Sequence, residues 1–437
     1  MSTLAHDGSL AGAPSDPAAH AVAPRDIAIG VLIGRISEYF DYFVYGIASV
    51  LVFPSLFFPH HEHLEGTLWC FFIFSFAFLA RPVGSALFLL MQQRYGRGAK
   101  LTVALLLLGT STVGMAFLPG YETLGFSAIV LLSVFRIGQG IALGGAWDGL
   151  PSLLALSAPK GQRGWYAMMG QLGAPIGFIL AAGLFGLLYS SLESADFLAW
   201  GWRYPFFVAF AVNVVTMFAR LRLVLTDEFE QLFSERELAP AEGAEFLRTQ
   251  GHLVLIGAFG ALASYALFHL VTVFPLSWIV LYSHQPVGQF LVVEIFGALL
   301  GAGGIVASGV IADRIGRRNT LGLLAVLIAV FSGFAPTLLD GGTLGQDVFL
   351  VLGFILLGLS YGQAAGAMNS SFEPRFRYTG AALTADVAWL IGAGFAPLVA
   401  LGLSAHFGLG YVSLYLLSGA VCTLAAWWIN RSLESAN

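Results

Sequence analysis

The sequence predicts an all-α membrane protein with twelve transmembrane helices, arranged as two six-helix bundles related by pseudo-two-fold symmetry. Three observations predict this fold class. Hydrophobic residues make up 57% of the 437 residues and charged residues only 10%, which is too little charge to cover a surface in water. The apolar residues are gathered into twelve long stretches, and a short basic motif recurs after about half the chain.

Each apolar stretch is long enough to cross a bilayer. A helix rises about 1.5 Å per residue, so roughly 20 apolar residues cross the hydrocarbon core. Such segments must be helical, because an unpaired backbone group in lipid costs several kcal/mol. The predicted spans are roughly 27–57, 67–91, 100–119, 125–156, 165–190, 201–222, 251–282, 287–312, 319–339, 346–371, 378–405 and 408–430.

The charged residues indicate the orientation of these spans. Of the 20 Lys and Arg residues, all except Arg35, Arg81, Arg136 and Arg203 fall at the termini or in alternate loops. The charged residues of the other loops are acidic: Glu62, Glu65, Glu122, Glu193, Asp196, Asp340 and Asp347. Cytoplasmic loops are rich in Lys and Arg, so we predict that both termini are cytoplasmic. An even number of spans requires the same side for both termini.

The two halves of the chain resemble each other. Arg94-Tyr-Gly-Arg97 follows the second predicted span, and Arg314-Ile-Gly-Arg317 follows the eighth, 314 − 94 = 220 residues later. The longest polar stretch, 223–250, separates six spans from six. We therefore predict a disordered cytoplasmic tail over 1–24, a first bundle over 25–222, a central cytoplasmic loop over 223–250 and a second bundle over 251–437.

Repeated six-helix halves are typical of transporters that work by rocking two bundles about a central site. The chain has no nucleotide-binding motif and none of the common hydrolase or metalloprotease motifs, so neither a pump nor an enzyme is expected. Cys70 and Cys422 both lie within predicted spans, which favours packing over a metal site or a disulfide. We expect no cofactor, no metal, no catalytic residue and no nucleic-acid partner.

Several motifs resemble those of one transporter branch. They are Gly34-Arg-Ile-Ser-Glu38-Tyr-Phe-Asp41-Tyr-Phe-Val-Tyr45-Gly46, Arg81-Pro82-Val-Gly84, Arg136-Ile-Gly-Gln139-Gly140, Gly201-Trp202-Arg203, Gly309-Val-Ile-Ala-Asp313-Arg314-Ile-Gly316-Arg317-Arg318 and Arg377-Tyr378-Thr379-Gly380. In this order they resemble the metabolite–proton symporter branch of the major facilitator superfamily. The resemblance covers nearly the whole chain after residue 25. It implies proton-coupled transport of organic acids or zwitterions.

The chain also departs from this branch at three places. Arg35 stands where the branch usually has Asn. The first-half loop motif has Leu89 and Gln93 in place of Gly and Asp, so only its basic part survives. Ala146 replaces a glutamate of the fourth span, although Asp148 follows two residues later. The substrates of the branch are therefore not transferred directly.

Charges within the spans are the first candidates for function, because intramembrane charges are costly and usually face a cavity or a partner. Arg35, Glu38 and Asp41 follow each other at helical spacing on the first span. The resemblance implies that Asp41 binds the proton and that Arg136 tunes it. The alternative is a permanent structural ion pair. Glu38 is a second proton-coupling candidate, unless Arg35 neutralises it one turn away.

Other polar residues within the spans are candidates for substrate binding. They are Arg35, Gln139, Gln171, His269, Asn369, Asp386 and Trp389. For each, a hydrogen bond or simple packing between helices is the structural alternative. Glu294 in the eighth span also lies in apolar surroundings, and its role stays open.

The basic loop motifs are candidates for gating. They comprise Arg94, Gly96 and Arg97 in the first half, and Asp313, Arg314, Gly316, Arg317 and Arg318 in the second. The resemblance implies a latch between the halves on the cytoplasmic side. The alternative is a cluster that only sets topology, and Gln93 indicates a weaker first-half latch.

Together these observations predict a secondary active transporter that takes up a small organic acid or zwitterion with protons. A proton-driven exporter or antiporter of small amphipathic compounds is the alternative. The expected location is a bacterial inner membrane, and the expected partners are the substrate, protons and lipid. We expect the chain to function as a monomer.

Overall fold

A computed structural model describes residues 24–147, 149–235, 238–283, 285–364 and 372–429. Helices make up almost all of this part of the chain. The predicted tail 1–24 lies outside it except for Pro24, with which the first helix begins.

Twelve helices, here named α1 to α12, traverse the molecule. In the first half they are α1 (Pro24–Leu51), α2 and α3 (together His63–Ala116), α4 (Phe126–Gly145 and Leu150–Ser157), α5 (Arg163–Ser191) and α6 (Ser194–Val224). In the second half they are α7 (Gly243–Gly260, Leu262–Thr272 and Phe274–Tyr282), α8 (Val287–Ile315), α9 (Arg317–Leu339), α10 (Gly342–Ala364), α11 (Pro374–Phe407) and α12 (Gly410–Ile429).

Ten helical segments of the described residues are long and apolar enough to cross a membrane. One of them, His63–Ala116, has 54 residues and is divided at Gly96, whose φ of 83° and ψ of 171° are not helical. It therefore supplies both α2 and α3. The helix α1 is also long enough, with 28 residues, but it carries Arg35, Glu38 and Asp41 in its middle turns.

The turns that end α2 and α8 show the internal repeat in three dimensions. Gly96 has a φ of 83° and Gly316 a φ of 84°, in the region of backbone space that favours glycine. The two glycines occupy the same position in Arg94–Arg97 and Arg314–Arg317. The same sharp turn thus joins two helices in each half of the chain.

Close glycine contacts hold equivalent helix pairs in the two halves. A Cβ atom on Gly84 or Gly140 would lie 2.2 or 2.3 Å from a backbone oxygen of the facing helix, so α2 and α4 touch backbone to backbone. A Cβ on Gly358 of α10 would lie 2.0 Å from the oxygen of Gly301 of α8. Small residues permit this packing in membranes, where helices gain little from apolar burial.

The central segment is more helical than the sequence predicts. A short helix covers Asp227–Glu235, and α7 begins at Gly243, inside the predicted loop 223–250. Phe246 explains the early start, because it is fully buried against Phe372 and Phe376 beside α11. This first turn of α7 therefore packs on the protein rather than extending into solvent.

Candidate functional site

A cavity lies between the two halves of the molecule. Its walls come from α1, α4, α5, α7, α10 and α11. The residues that matter below are Arg35, Tyr39, Gln171, Tyr265, Tyr361 and Trp389. We call the side of the molecule that carries Arg94–Arg97 and Arg314–Arg317 the basic side, and the opposite side the acidic side. The cavity occupies the basic half of α1, since Val31 and Arg35 line it.

Asp41 lies inside the first bundle, enclosed by neutral polar side chains. It is 2% exposed. Thr112 of α3 donates a hydrogen bond to its Oδ1, Gln139 of α4 donates one to Oδ2 at 3.0 Å, and Asn213 of α6 approaches Oδ1 at 3.5 Å. Three helices therefore converge on one carboxyl group. This arrangement satisfies its acceptors without a direct ion pair.

Arg136 is linked to Asp41 through Gln139. Its terminal nitrogen donates to Oε1 of Gln139 at 2.9 Å, and its Nε donates to the backbone oxygen of Phe74 at 3.2 Å. The guanidinium also lies over the Tyr45 ring, 4.1 Å from the ring centre. In the described residues its other terminal nitrogen makes no hydrogen bond. Gln139, a predicted substrate ligand, is placed here as the bridge between the cation and the acid.

Arg35 and Glu38 form a second charged group, which borders the cavity. Arg35 donates to Glu38 at 2.9 Å, and Arg220 of α6 donates to the other carboxylate oxygen at 3.3 Å. The charge pattern predicts Arg220 among the cytoplasmic charges, at the end of the sixth span. It is in fact buried, because α6 continues to Val224.

Asp386 of α11 joins the two bundles. It accepts a hydrogen bond from Nε of Arg81 at 2.6 Å and another from the Ser85 hydroxyl, both on α2. Asp386 is 2% exposed and follows the cavity-lining residues Thr384 and Ala385. The structure thus places this predicted substrate ligand in an ion pair at the edge of the cavity.

Aromatic rings separate the cavity from the acidic side. The Tyr42 hydroxyl of α1 contacts Nε2 of His269 on α7, and the Tyr39 hydroxyl contacts that of Tyr361 on α10. His269 is fully buried and Trp389 packs 6.3 Å from it, centre to centre. The two hydroxyl contacts cross between the bundles. His269 therefore lies within the closed aromatic layer, whereas Trp389 and Gln171 line the cavity itself.

Asn369 and Trp389 are the remaining residues predicted to bind substrate. Asn369 lies outside the residues that the structure describes. Trp389 begins a π-helical turn, Trp389–Gly394, in the middle of α11. Such turns within α-helices occur often at functional sites.

On the basic side, Asp313 connects the second bundle to the first. Its carboxylate accepts hydrogen bonds from the backbone N–H groups of Gly164, at 2.7 Å, and Trp165, at 3.1 Å. Both groups belong to the first turn of α5, where free N–H groups and the helix dipole favour a negative charge. A glycine is needed here, because a Cβ on Gly164 would lie 2.8 Å from the Gly309 oxygen and 2.9 Å from Asp313.

The neighbouring arginines have different contacts. Arg317 donates to Gln363 of α10 at 3.3 Å and to the Arg163 oxygen of α5 at 3.4 Å. Arg318 donates to the Trp427 oxygen of α12 at 3.1 Å, and Arg314 is exposed. Asp313 and Arg317 therefore bridge the bundles, while Arg318 acts within the second bundle.

The first-half motif binds the central segment instead. Arg97 stacks over the ring of Phe233, 3.4 Å from its centre, and donates to the Leu238 oxygen at 3.1 Å. Arg94 is exposed beside Tyr95. With Gln93 in place of an acid, Arg97 of the first half holds the helix Asp227–Glu235 and Leu238.

Some residues of these networks escaped the sequence analysis. Asn213 is an isolated amide in an apolar span, and that isolation was the available signal, whereas Thr112 follows Thr110 and Ser111 and does not stand out. Arg81 was recognised as an intramembrane charge but without a partner. Tyr39, Tyr265 and Tyr361 carried no signal, because tyrosine is common in membrane helices.

Comparison with known proteins identifies the family. Residues 27–245 match the family described as sugar (and other) transporter. The inner membrane metabolite transport protein YhjE of Escherichia coli is 37% identical over 408 residues, which cover 92% of both chains. The shikimate transporter of E. coli is 30% identical, over 92% of this chain and 93% of its own. The E. coli proline/betaine transporter is 27% identical, over 84% and 75% respectively.

Solved structures show the same architecture. The structure of a D-xylose–proton symporter matches with a TM-score of 0.71 at 18% identity, covering 94% of this chain and 99% of that one. A partially occluded inward-open structure of the xylose transporter XylE from E. coli matches with a TM-score of 0.72 at 17% identity, covering 94% and 100%. These likenesses concern the fold, and the predicted fold class of two six-helix bundles is confirmed.

The match also confirms the predicted resemblance and the prediction that the chain is not an enzyme. The chain belongs to the sugar and other transporter family of the major facilitator superfamily and is a multi-pass membrane transporter of small metabolites.

Proposed function

We propose that this transporter imports a small organic acid or zwitterionic metabolite together with protons, by alternating access. The basic side and both termini face the cytoplasm of a bacterial cell. Residues 25–222 and 251–437 rock against each other, the segment 223–250 joins them, and the monomer is the working unit. The charge of the central cavity is the observation that carries this proposal.

Charged side chains line and border the cavity. The cations are Arg35, Arg81 and Arg220, and the acids Glu38 and Asp386 pair with them. A carboxylate of the substrate would bind beside these arginines, because a guanidinium binds a carboxylate through two parallel hydrogen bonds. Arg35 is the arginine that lines the main cavity and both of its side pockets.

The setting of Asp41 supports proton coupling. Its hydrogen-bond partners are neutral, and Gln139 separates it from the positive charge of Arg136. A small rotation of α4 or of the Gln139 side chain would change the distance between cation and acid. Nearby positive charge favours the ionised form of a carboxyl group, so the affinity of Asp41 for a proton would change with conformation. Glu38, paired with two arginines, is the weaker candidate for this role.

The relatives support the proposed substrate class. One is described as a shikimate transporter and another as a proline/betaine transporter. Shikimate is a carboxylate, and proline and betaine are zwitterions with a carboxylate. The carboxylate that these compounds share is the group that a guanidinium such as that of Arg35 binds.

The aromatic walls favour the alternative function, export of small amphipathic compounds. Tyr39, Tyr265, Tyr361 and Trp389 present rings to the cavity, and rings bind apolar and cationic groups. An exporter would move these compounds toward the acidic side when protons enter. The direction of transport therefore separates the two functions.

Transport into proteoliposomes under an imposed pH gradient tests the proposal. A panel of shikimate, proline, betaine and simple aliphatic and aromatic carboxylates would be supplied outside vesicles with an alkaline interior. We expect accumulation of at least one carboxylate. Arg35→Gln should raise the half-saturation concentration for that carboxylate about tenfold or more, since a charge-assisted hydrogen bond contributes roughly 1.5–3 kcal/mol.

Arg25→Gln is the matched control, because Arg25 is an exposed arginine at the start of the same helix. It should leave the half-saturation concentration unchanged. Extrusion of amphipathic compounds without uptake of any carboxylate would instead establish the exporter.

A further inference from the structure

Glu294 is a buried carboxyl group that none of the networks above uses. It lies seven residues after Val287, the first residue of α8, and so about 10 Å from the acidic-side end of that helix. Its side chain has 0% exposure, and neither carboxyl oxygen makes a hydrogen bond to any described residue. Buried polar groups almost always have a partner, because leaving one unpaired costs free energy. This carboxyl therefore adds no stabilising contact in the present arrangement.

The helical position of Glu294 places it on the face of α8 that lies between α10 and the first bundle. Ala298, Gly301 and Ile305 follow it at spacings of four, seven and eleven residues, which form one stripe along a helix. Gly301 and Ile305 line a small apolar cavity together with Phe43 and Phe178 of the first bundle and Phe354 of α10. Glu294 thus continues this inter-bundle stripe toward the acidic side.

Helices α5 and α8 pack against each other on the acidic side of the molecule, next to Glu294. Leu291, one turn before Glu294, lies 3.7 Å from a Cβ placed on Gly186 of α5. At the end of the same pair of helices, the Ser190 hydroxyl lies 2.9 Å from a Cβ placed on Gly288. When the bundles part on the acidic side, as alternating access requires, this seam between α5 and α8 must open. Glu294 would then meet water.

Several charged and titratable groups lie on the helices that surround Glu294. Against α8 pack α5, α7, α9 and α10. On their acidic-side halves these helices carry Tyr189, His269, Tyr282, Asp340 and Asp347, and on their basic-side halves Arg163, Tyr166, Glu245, Arg248, His252, Tyr265, Arg317, Arg318 and Tyr361. His269 bonds Tyr42, Asp347 accepts from Gln285, and Tyr282 stacks on Trp278. None of the groups in the described chain hydrogen-bonds Glu294.

From this geometry we propose that Glu294 is a proton-binding switch for closure of the acidic side. An ionised carboxylate needs water or a cation, so it keeps the seam between α5 and α8 open. A proton from the acidic-side solution binds a carboxylate oxygen and makes the side chain neutral, and the neutral group is buried when the seam closes. Reopening the seam returns the proton to the same solution. The switch therefore regulates a conformational step and is separate from proton transfer at Asp41.

This inference rests on the proposed function only in requiring that the acidic side opens and closes. Its test can therefore use accessibility rather than transport. Ala298, fully buried one turn from Glu294, is replaced by cysteine in a variant whose native cysteines are removed (Cys70→Ala and Cys422→Ser). A membrane-impermeant maleimide is added from the acidic side at pH 6 and at pH 8. The labelling rate of an exposed cysteine, Asp340→Cys, corrects for the change in intrinsic thiol reactivity between the two pH values.

The corrected labelling rate should be greater at pH 8 than at pH 6. One proton linked to closure changes the ratio of states by up to about tenfold per pH unit. With Glu294→Gln, labelling should be slow at both pH values, because the side chain is always neutral. Glu294→Met, an apolar side chain of similar length, should behave in the same way. Glu294→Asp should keep the pH dependence.

A pH dependence that persists in both Glu294→Gln and Glu294→Met would overturn the proposal, and so would its absence from the parent protein. Uptake of carboxylates by these variants is measured separately. Loss of all proton-driven uptake in the parent would disprove the proposed function without affecting the labelling result.

Discussion

Neutralising Asp313 should open the basic side of the transporter. The Asp313 carboxylate accepts two backbone N–H groups of α5, from Gly164 at 2.7 Å and from Trp165 at 3.1 Å. Because Asp313 belongs to α8 and these amides to α5, the contact holds the two bundles together only while the basic side is closed. In Asp313→Asn one oxygen becomes an NH₂ group, which faces an amide donor instead of accepting from it.

The structure gives the size of the effect. A hydrogen bond to a charged group contributes roughly 1.5–3 kcal/mol, and the helix dipole adds about 0.3–1 kcal/mol. The partial exposure of Asp313 places the loss toward the lower end, about 1.5–2 kcal/mol. Since about 1.4 kcal/mol corresponds to a factor of ten, the open population should rise roughly ten- to thirtyfold.

Cysteine labelling measures this change directly. Ala385 lines the cavity from α11, so Ala385→Cys reports access from the basic side in a background without native cysteines. We expect its labelling by an impermeant maleimide to accelerate about tenfold or more in Asp313→Asn, and we expect transport to slow. Asp340→Asn, an exposed acid after α9, is the matched control and should label at the parent rate. Equal rates in Asp313→Asn and the parent would refute the latch.

Two further predictions follow from contacts between helices. Gly84→Ala should lower the midpoint of thermal unfolding by several degrees, because its Cβ would lie 2.2 Å from the Ile141 oxygen and overpacking costs about 1–3 kcal/mol. The control Gly183→Ala, whose Cβ would have no atom within 4 Å, should not lower the midpoint. Equal midpoints for the two variants would contradict the packing. Asp386→Asn should reduce transport at least tenfold, because it leaves Arg81 without its ion-pair partner between the bundles. Exchanging the charges with Arg81→Asp and Asp386→Arg should recover part of the activity. A double variant no more active than Asp386→Asn would show that transport does not depend on this ion pair.

The sequence was sufficient for the fold because lipid restricts the possible structures. Twelve apolar stretches must be helices, and the repeated Arg94–Arg97 and Arg314–Arg317 turns place the halves in register. Helix ends were less predictable. Arg220 and Lys100 lie at the ends of predicted spans and were counted with the cytoplasmic charges, yet both are buried, since their polar ends reach hydrogen-bond acceptors such as the Ala146 and Trp147 oxygens.

The site could be predicted only in part, for a physical reason. An intramembrane charge such as Asp41, Arg136 or Asp386 is visible in the sequence because burial makes it costly. Its partner is not visible, because the partners lie on other helices. Thr112 is 71 residues from Asp41, and Arg81 is 305 residues from Asp386. The bridge formed by Gln139 depends on how α1 and α4 pack, and this packing is a property of the folded bundle.

The most direct test of proton coupling is substrate-induced proton movement in proteoliposomes that contain Asp41→Asn. The probe is the carboxylate that the parent protein accumulates best among shikimate, proline, betaine and simple carboxylates, and external pH is recorded as it enters. We predict that the parent alkalinises the medium during uptake. Asp41→Asn should give no pH change and no accumulation, while exchanging internal for external substrate within about twofold of the parent rate, since a permanently neutral side chain mimics the protonated state. Proton uptake by Asp41→Asn equal to that of the parent would contradict the assignment of Asp41 as the coupling residue.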